Sequence, residues 1–123
     1  MKKTVVFDFD GVIHSYTSGW KGATIIPDSP VEGIEQALKD IHKAGYEIAI
    51  VSTRSALPSG RIAVINWLDK WNLLEYVDRV CTEKPPAIVY IDDRAIRFDG
   101  KPENLLEQIN TFKPWYETGE KNE

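Results

Sequence analysis

The sequence predicts an α/β protein with a mostly parallel central sheet of about five strands covered by helices on both faces. Three observations carry that expectation. The runs Thr4–Phe9, Tyr46–Val51, Val77–Cys81 and Ala87–Ile91 are almost continuously apolar and rich in β-branched residues, as strands buried on both faces are. Two stretches of helical periodicity separate the first three runs, and another follows the last. Acidic and hydroxyl residues collect where the apolar runs end, at the edge where open sheets of this class bind ligands.

The first run closes on Phe7-Asp8-Phe9-Asp10-Gly11. Residues two apart on a strand share a face, so Asp8 and Asp10 are expected side by side if the strand continues through them. Gly11 permits a sharp exit. Residues 12–28, rich in Gly, Ser, Thr and aromatics, lack helical periodicity and read as a hairpin or flap beside the aspartates. Ser29-Pro30-Val31-Glu32 then looks like a helix start, with Ser29 as N-cap, Pro30 at the first helical position and Glu32 closing a capping box. Val31, Ile34, Ala37, Leu38 and Ile41 form its apolar stripe, and Gly45 ends it.

The second strand, Tyr46–Val51, delivers Ser52-Thr53-Arg54, followed by a loop containing Pro58 and Gly60. A second helix is expected over roughly 61–72, with a wide apolar face that includes Trp67 and Trp71. Thr82–Pro86 is a polar connection carrying Lys84, and the fourth strand ends in Asp92-Asp93-Arg94. Ile96-Arg97-Phe98 reads as a short fifth strand. The last helix begins near Pro102, carries Leu105, Leu106, Ile109 and Phe112, and stops at Pro114. One domain over residues 1–116 is expected, with 117–123 a loose polar tail.

At 123 residues the chain can bury a single proper core. A net charge of −4 gives no overall pull toward nucleic acid, and 28% charged residues suit a water-soluble domain. No apolar run approaches the ~18 residues of a membrane span. The single cysteine, Cys81, rules out an internal disulfide, and with no leader-like N-terminus the expectation is a reducing, cytoplasmic compartment.

Carboxylates at the end of a buried strand are costly unless paired, hydrogen-bonded or bound to a cation. Magnesium suits them, because it takes one or two carboxylates together with substrate phosphate. The set then reads as phosphoryl-transfer machinery. Asp8 is the candidate nucleophile. Asp8, the Asp10 carbonyl, Asp92 and Asp93 are the candidate magnesium ligands. Ser52 and Lys84 would hold the phosphate oxygens, and Asp10 would protonate the leaving oxygen and then activate water. Gly11, Thr53, Arg54, His14 and Arg94 are candidate substrate contacts. Tyr16, Trp20 and Lys21 lie in the flap near them.

These motifs resemble the phosphatase branch of the haloacid dehalogenase superfamily. Asp8-Phe9-Asp10-Gly11-Val12 is similar to its first motif, the strand ending in Ser52 to its second, Lys84 to its third, and Asp92-Asp93 to its fourth. The resemblance implies a three-layer α/β/α, Rossmann-like domain and hydrolysis through an aspartyl-phosphate. It also implies magnesium as cofactor. The aspartate at position 10 fits phosphatases rather than the family's dehalogenases, which lack it. No cap domain has room here, so only residues 13–27 and the short loop 55–60 could cover the site. A narrower likeness, through Ser52-Thr53-Arg54 and Asp92-Asp93-Arg94, is to the 3′-phosphatase domain of bacteriophage polynucleotide kinase. The implied partner is a small phosphorylated metabolite or nucleotide, with a nucleic-acid 3′ end as the alternative. A neighbouring subunit of a homo-oligomer could close the open site.

Structural roles compete with each assignment. Ser52 could cap the next turn, Arg54 could sit in a surface ion pair, His14 could be a solvated flap residue, and Asp93 could pair with Arg94. A non-catalytic phosphate-binding module keeps the same fold. A phospho-accepting receiver domain uses similar groups, but its acidic pair follows the first strand and its lysine the last, the reverse of the order here.

Overall fold

In the computed structural model, which describes residues 2–117, four parallel strands form one sheet in the order β3-β2-β1-β4. The chain runs β1 (Thr4–Asp8), α1 (Ile34–Lys43), β2 (Glu47–Val51), α2 (Pro58–Lys70), β3 (Arg79–Cys81), β4 (Val89–Ile91) and α3 (Leu105–Thr111). β1 lies at the centre, paired with β2 over five residues and with β4 over three. The ends of β1 and β4 are thereby neighbours, which carries Asp8 toward Asp92 and Asp93 across 84 residues of sequence. No helix is long and apolar enough to cross a membrane among the described residues.

The register explains the core. Val5 is level with Ile48, and Phe7 with Ile50 and Ile91, so these side chains share one face of the sheet. That face joins Leu38 of α1 and Val64, Trp67 and Leu68 of α2 in a single apolar cluster. Leu38, Ile48, Ile50, Val64 and Leu68 are fully buried. Truncating one of them to alanine costs about 2–5 kcal/mol, through lost burial and the cavity left behind.

The other face is built differently. Val6, Ala49 and Tyr90 share it by register. α3 contributes no buried residue, and its Leu106 and Ile109 are 71% and 60% exposed. The helical layer expected over this face is therefore not built as the first one is. The fifth strand is also absent: Ile96–Phe98 is irregular, leaving β4 as an edge.

Both long helices start away from their predicted positions. The Ser29-Pro30 start fails because that backbone has other partners. Ser29 O accepts from Ser15 N, Val31 N donates to Ile13 O, and Pro30 bridges to His14. The helix waits for Gly33, which caps it at φ 87° without a side-chain bond. α2 begins earlier than predicted, with Pro58 at its first turn, where a missing N–H costs nothing. Gly60 then lies inside the helix, against the Arg54 backbone. A Cβ there would overlap the Arg54 carbonyl, with its carbon only 2.8 Å away. Ser55–Gly60 is therefore a 3₁₀ turn and helix start rather than a loop, with Ala56 lining the larger cavity. Residues 12–28 contain turns but no strand, so the predicted hairpin is replaced by an irregular flap. Of the tail expected over 117–123, all but Glu117 lies outside the described residues.

Candidate active site

The turn after β1 separates the two aspartates. Phe9 O accepts N–H bonds from Val12, Ile13 and His14, curling the chain as soon as the strand ends. The alternation expected to bring Asp8 and Asp10 side by side stops there. Asp8 stays on the strand end and Asp10 enters a different network.

Asp8 faces other acids. One carboxylate oxygen from each of Asp8, Asp92 and Asp93 lies within 4.8 Å of the others. Burial pushes the Asp8 carboxyl up to about 8, helped by its hydrogen bond with Asp93 and the charges of Asp92 and Asp93. Asp92 Oδ1 accepts the Arg94 N–H at 2.9 Å, an Asx-type turn that fixes the acidic pair at the end of β4. Asp93 Oδ2 accepts the Tyr116 hydroxyl at 2.7 Å, while Asp93 Oδ1 is buried with no hydrogen-bond donor among the described residues. A buried carboxylate oxygen left unbonded costs about 1–3 kcal/mol or more. Three acids and one unbonded buried oxygen fit a hard divalent cation, which would supply the missing partner.

Asp10 has the opposite surroundings. It accepts from Arg54 Nε at 3.0 Å, Arg54 Nη2 at 3.1 Å and His14 Nδ1 at 2.8 Å. Arg54 is fully buried, and its Nη1 is spent on the carbonyls of Gly22, Ala23 and Ile25 at 2.7–3.1 Å. Its guanidinium also lies over the Trp20 ring, 4.6 Å from the centroid. Arg54 is thus neither the expected substrate contact nor a surface ion pair. It ties the flap to Asp10.

His14 is likewise fully buried, stacked on Phe9 and edge-on to Trp67. Its Nε2 accepts the Asp28 N–H at 3.1 Å, so the tautomer that satisfies both bonds carries its hydrogen on Nδ1, donating to Asp10. Burial raises the Asp28 carboxyl, but bonds from Ser18 and Thr17 and the nearby His14 outweigh it and hold the group below its usual range. His14 is a spacer between Asp10 and Asp28 and lines neither cavity beside Asp8.

Two cavities meet at Asp8, Ser52 and Thr53. One of about 420 Å³ is lined also by Val51, Ala56, Thr82, Lys84 and Asp92. The other, of about 240 Å³, adds Asp10, Tyr16, Trp20, Asp93, Arg94 and Tyr116. Ser52 Oγ accepts the Arg54 N–H at 3.1 Å, capping the 3₁₀ turn, and its hydroxyl hydrogen remains free to point into the cavities. The Lys84 ammonium lies 4.8 Å from the centre of the Tyr90 ring, and Lys84 lines the larger cavity together with Asp8. Gly11, at φ 82°, has no room for a side chain: a Cβ would strike the Asp93 carboxylate and come within 2.8 Å of the Tyr116 ring.

The predicted residues thus divide. Asp8, Asp10, Ser52, Thr53, Lys84, Asp92, Asp93 and Arg94 line the cavities, whereas Arg54 and His14 are buried behind Asp10. Sequence reasoning missed Trp115 and Tyr116, 104 and 23 residues from their partners Gly11 and Asp93. Two adjacent aromatics after a helix-ending proline were the available signal. Comparison with protein-family models, curated proteins and solved structures gave no match.

Proposed function

We propose that this protein is a magnesium-dependent phosphomonoester hydrolase that works through an aspartyl-phosphate on Asp8. The observation that carries the reading is the Asp8-Asp92-Asp93 cluster with its unbonded buried oxygen, opening onto a cavity lined by Ser52, Thr53 and Lys84. A magnesium ion held by Asp8, Asp92, Asp93 and the Asp10 carbonyl would neutralise phosphate oxygens.

The chain's own groups divide the rest of the work. The Ser52 hydroxyl and Lys84 ammonium hold the other phosphate oxygens. An Asp8 oxygen attacks phosphorus as the bond to the leaving alcohol breaks, and Asp10 gives that oxygen a proton. Asp10 then takes a proton from the water that attacks the aspartyl-phosphate, releasing inorganic phosphate and restoring Asp8. Arg54 and His14 fix the direction in which Asp10 acts.

The substrate we favour is a small phosphorylated metabolite or nucleotide. The polynucleotide reading leaned on Arg54, and its burial leaves Arg94 as the cation at the smaller cavity. A lone cysteine remains in keeping with a reducing cytoplasm. The test is a hydrolysis screen with and without magnesium over an aryl phosphate, nucleotides, sugar phosphates and a 3′-phosphorylated oligonucleotide. Magnesium-dependent release of phosphate supports the reading. Magnesium and phosphate binding with no turnover on any of them would make the protein a binding module instead.

A further inference from the structure

A segment from the far end of the chain reaches into this site. After α3 the backbone turns at Pro114, itself buried, and returns over the loop that follows β1. Trp115 Nε1 donates to Gly11 O at 2.7 Å, and the Tyr116 hydroxyl donates to Asp93 Oδ2 at 2.7 Å. The Tyr116 ring packs edge-on against Tyr16, with centroids 5.9 Å apart, and against Trp115 at 5.6 Å. The missing Cβ of Gly11 is what lets the Asp93 carboxylate and the Tyr116 ring come this close. Loop and returning segment are fitted to each other at that point.

Tyr116 divides the Asp93 carboxylate in two. One oxygen is taken by the phenol, and the other is buried beside the Asp8 carboxyl with no partner donating to it among the described residues, in a residue that belongs to the three-acid cluster. A bond to one oxygen restricts rotation about the Cβ–Cγ bond and so fixes where the second oxygen points. Groups that bond a metal's ligands in this manner govern affinity without touching the metal.

We infer that Tyr116 is a positioning residue that aims Asp93 at a divalent cation, and that residues 114–116 form a wall of the site. The inference rests on the cation reading of the cluster. It gives the end of the chain a function that its place after the last helix does not suggest. Trp115 serves a separate purpose, since it holds a backbone carbonyl and no ligand.

Calorimetric titration of the full chain with Mg²⁺ alone tests this, alongside thermal unfolding without metal. Tyr116→Phe keeps the ring and removes only the hydroxyl. It should weaken Mg²⁺ binding by about 10–100-fold, the usual cost of losing such a partner, and keep the metal-free melting temperature close to that of the parent. Trp115→Phe should weaken Mg²⁺ binding less than Tyr116→Phe does. In an Asp93→Ala background, Tyr116→Phe should have no further effect on affinity. Unchanged Mg²⁺ affinity in Tyr116→Phe overturns the inference and leaves the cation site standing. So do equal losses from both aromatic variants in step with lower stability, because the segment would then act by packing alone. Absence of Mg²⁺ binding to the parent protein would instead remove the cation site itself, and this inference with it.

Discussion

Asp8 and Asp10 stand two residues apart and live in opposite surroundings. Asp10 meets a buried guanidinium and an imidazole N–H, so the protein itself satisfies its charge. Asp8 meets two further carboxylates and, among the described residues, no cationic side chain within salt-bridge distance. An acid placed beside a buried arginine has its charge answered within the protein, as in the first network. The second network withholds that partner from three acids at once and carries the cost in an Asp8 carboxyl pushed up to about 8. The contrast separates an acid whose charge the protein answers from a group of acids that could hold a metal ion.

The largest expected effect follows from the three-acid cluster. Asp8→Asn removes the nucleophile, and turnover of an aryl phosphate should fall by on the order of 10⁴–10⁶-fold, the scale on which enzymes lose a nucleophile. Without metal the variant should melt close to the parent, because below about 8 the Asp8 carboxyl keeps its proton and the amide replaces one neutral group by another of similar shape. Substantial residual hydrolysis in a steady-state assay would end the aspartyl-phosphate mechanism.

Next comes Asp10, the group proposed for proton transfer, which Arg54 and His14 hold in place. General acid catalysis is worth about 10²–10⁴-fold, and an aryl leaving group needs protonation least. Asp10→Asn should therefore slow phosphoryl transfer from an alkyl phosphate far more than from an aryl phosphate, as measured by single-turnover rates. Equal losses would reduce Asp10 to an anchor for Arg54.

Arg54 breaks the comparison from the other side. Arg54→Ala strands Asp10 and the carbonyls of Gly22, Ala23 and Ile25. Breaking a buried pair in this way costs about 3–5 kcal/mol, which lowers the melting temperature of a domain this size by roughly 10 °C or more. Arg54→Lys should not rescue it, because an ammonium cannot span a carboxylate and three carbonyls. An unchanged melting temperature with a raised KM would mean that Arg54 contacts substrate after all.

The contrast also marks what a sequence can and cannot disclose. Val5–Phe7, Ile48–Ile50 and Val89–Ile91 were legible as strands because continuous apolar runs have few other uses, and the acids at their ends stood out against them. Ser29-Pro30-Val31-Glu32 carried every local sign of a helix start and is not one. Hydrogen bonds to residues 13–15 outcompeted the capping box, and those partners lie too far away in sequence for a local reading. Arg54 and Asp10 are separated by 44 positions, Tyr116 and Asp93 by 23, and neither pair has a local signature. An isolated arginine reads as surface, so its burial was invisible. Ile96–Phe98 failed for the converse reason: its alternation fits a strand, but among the described residues no neighbour pairs with it.

The last test is the most diagnostic, because it uses pH to titrate the Asp8 carboxyl. A carboxyl raised from 3.8 to about 8 in the folded state favours folding while it keeps its proton. Its contribution is present in full below the ordinary value and is lost as pH rises toward about 8. The metal-free protein should therefore lose stability across that window, measured by thermal unfolding at fixed ionic strength. Magnesium binding runs the other way, since it needs the ionised form and must displace the proton below that pH. Affinity should climb about tenfold per pH unit, one proton being released per ion bound, and level off near 8. The melting-temperature gain on adding magnesium should grow over the same range. Asp8→Asn should flatten both curves, whereas Asp10→Asn, in the other network, should preserve their slopes. Magnesium affinity that does not change between the ordinary carboxylate range and 8 would show that Asp8 is ionised without the metal, and that the two clusters differ less than their geometry implies.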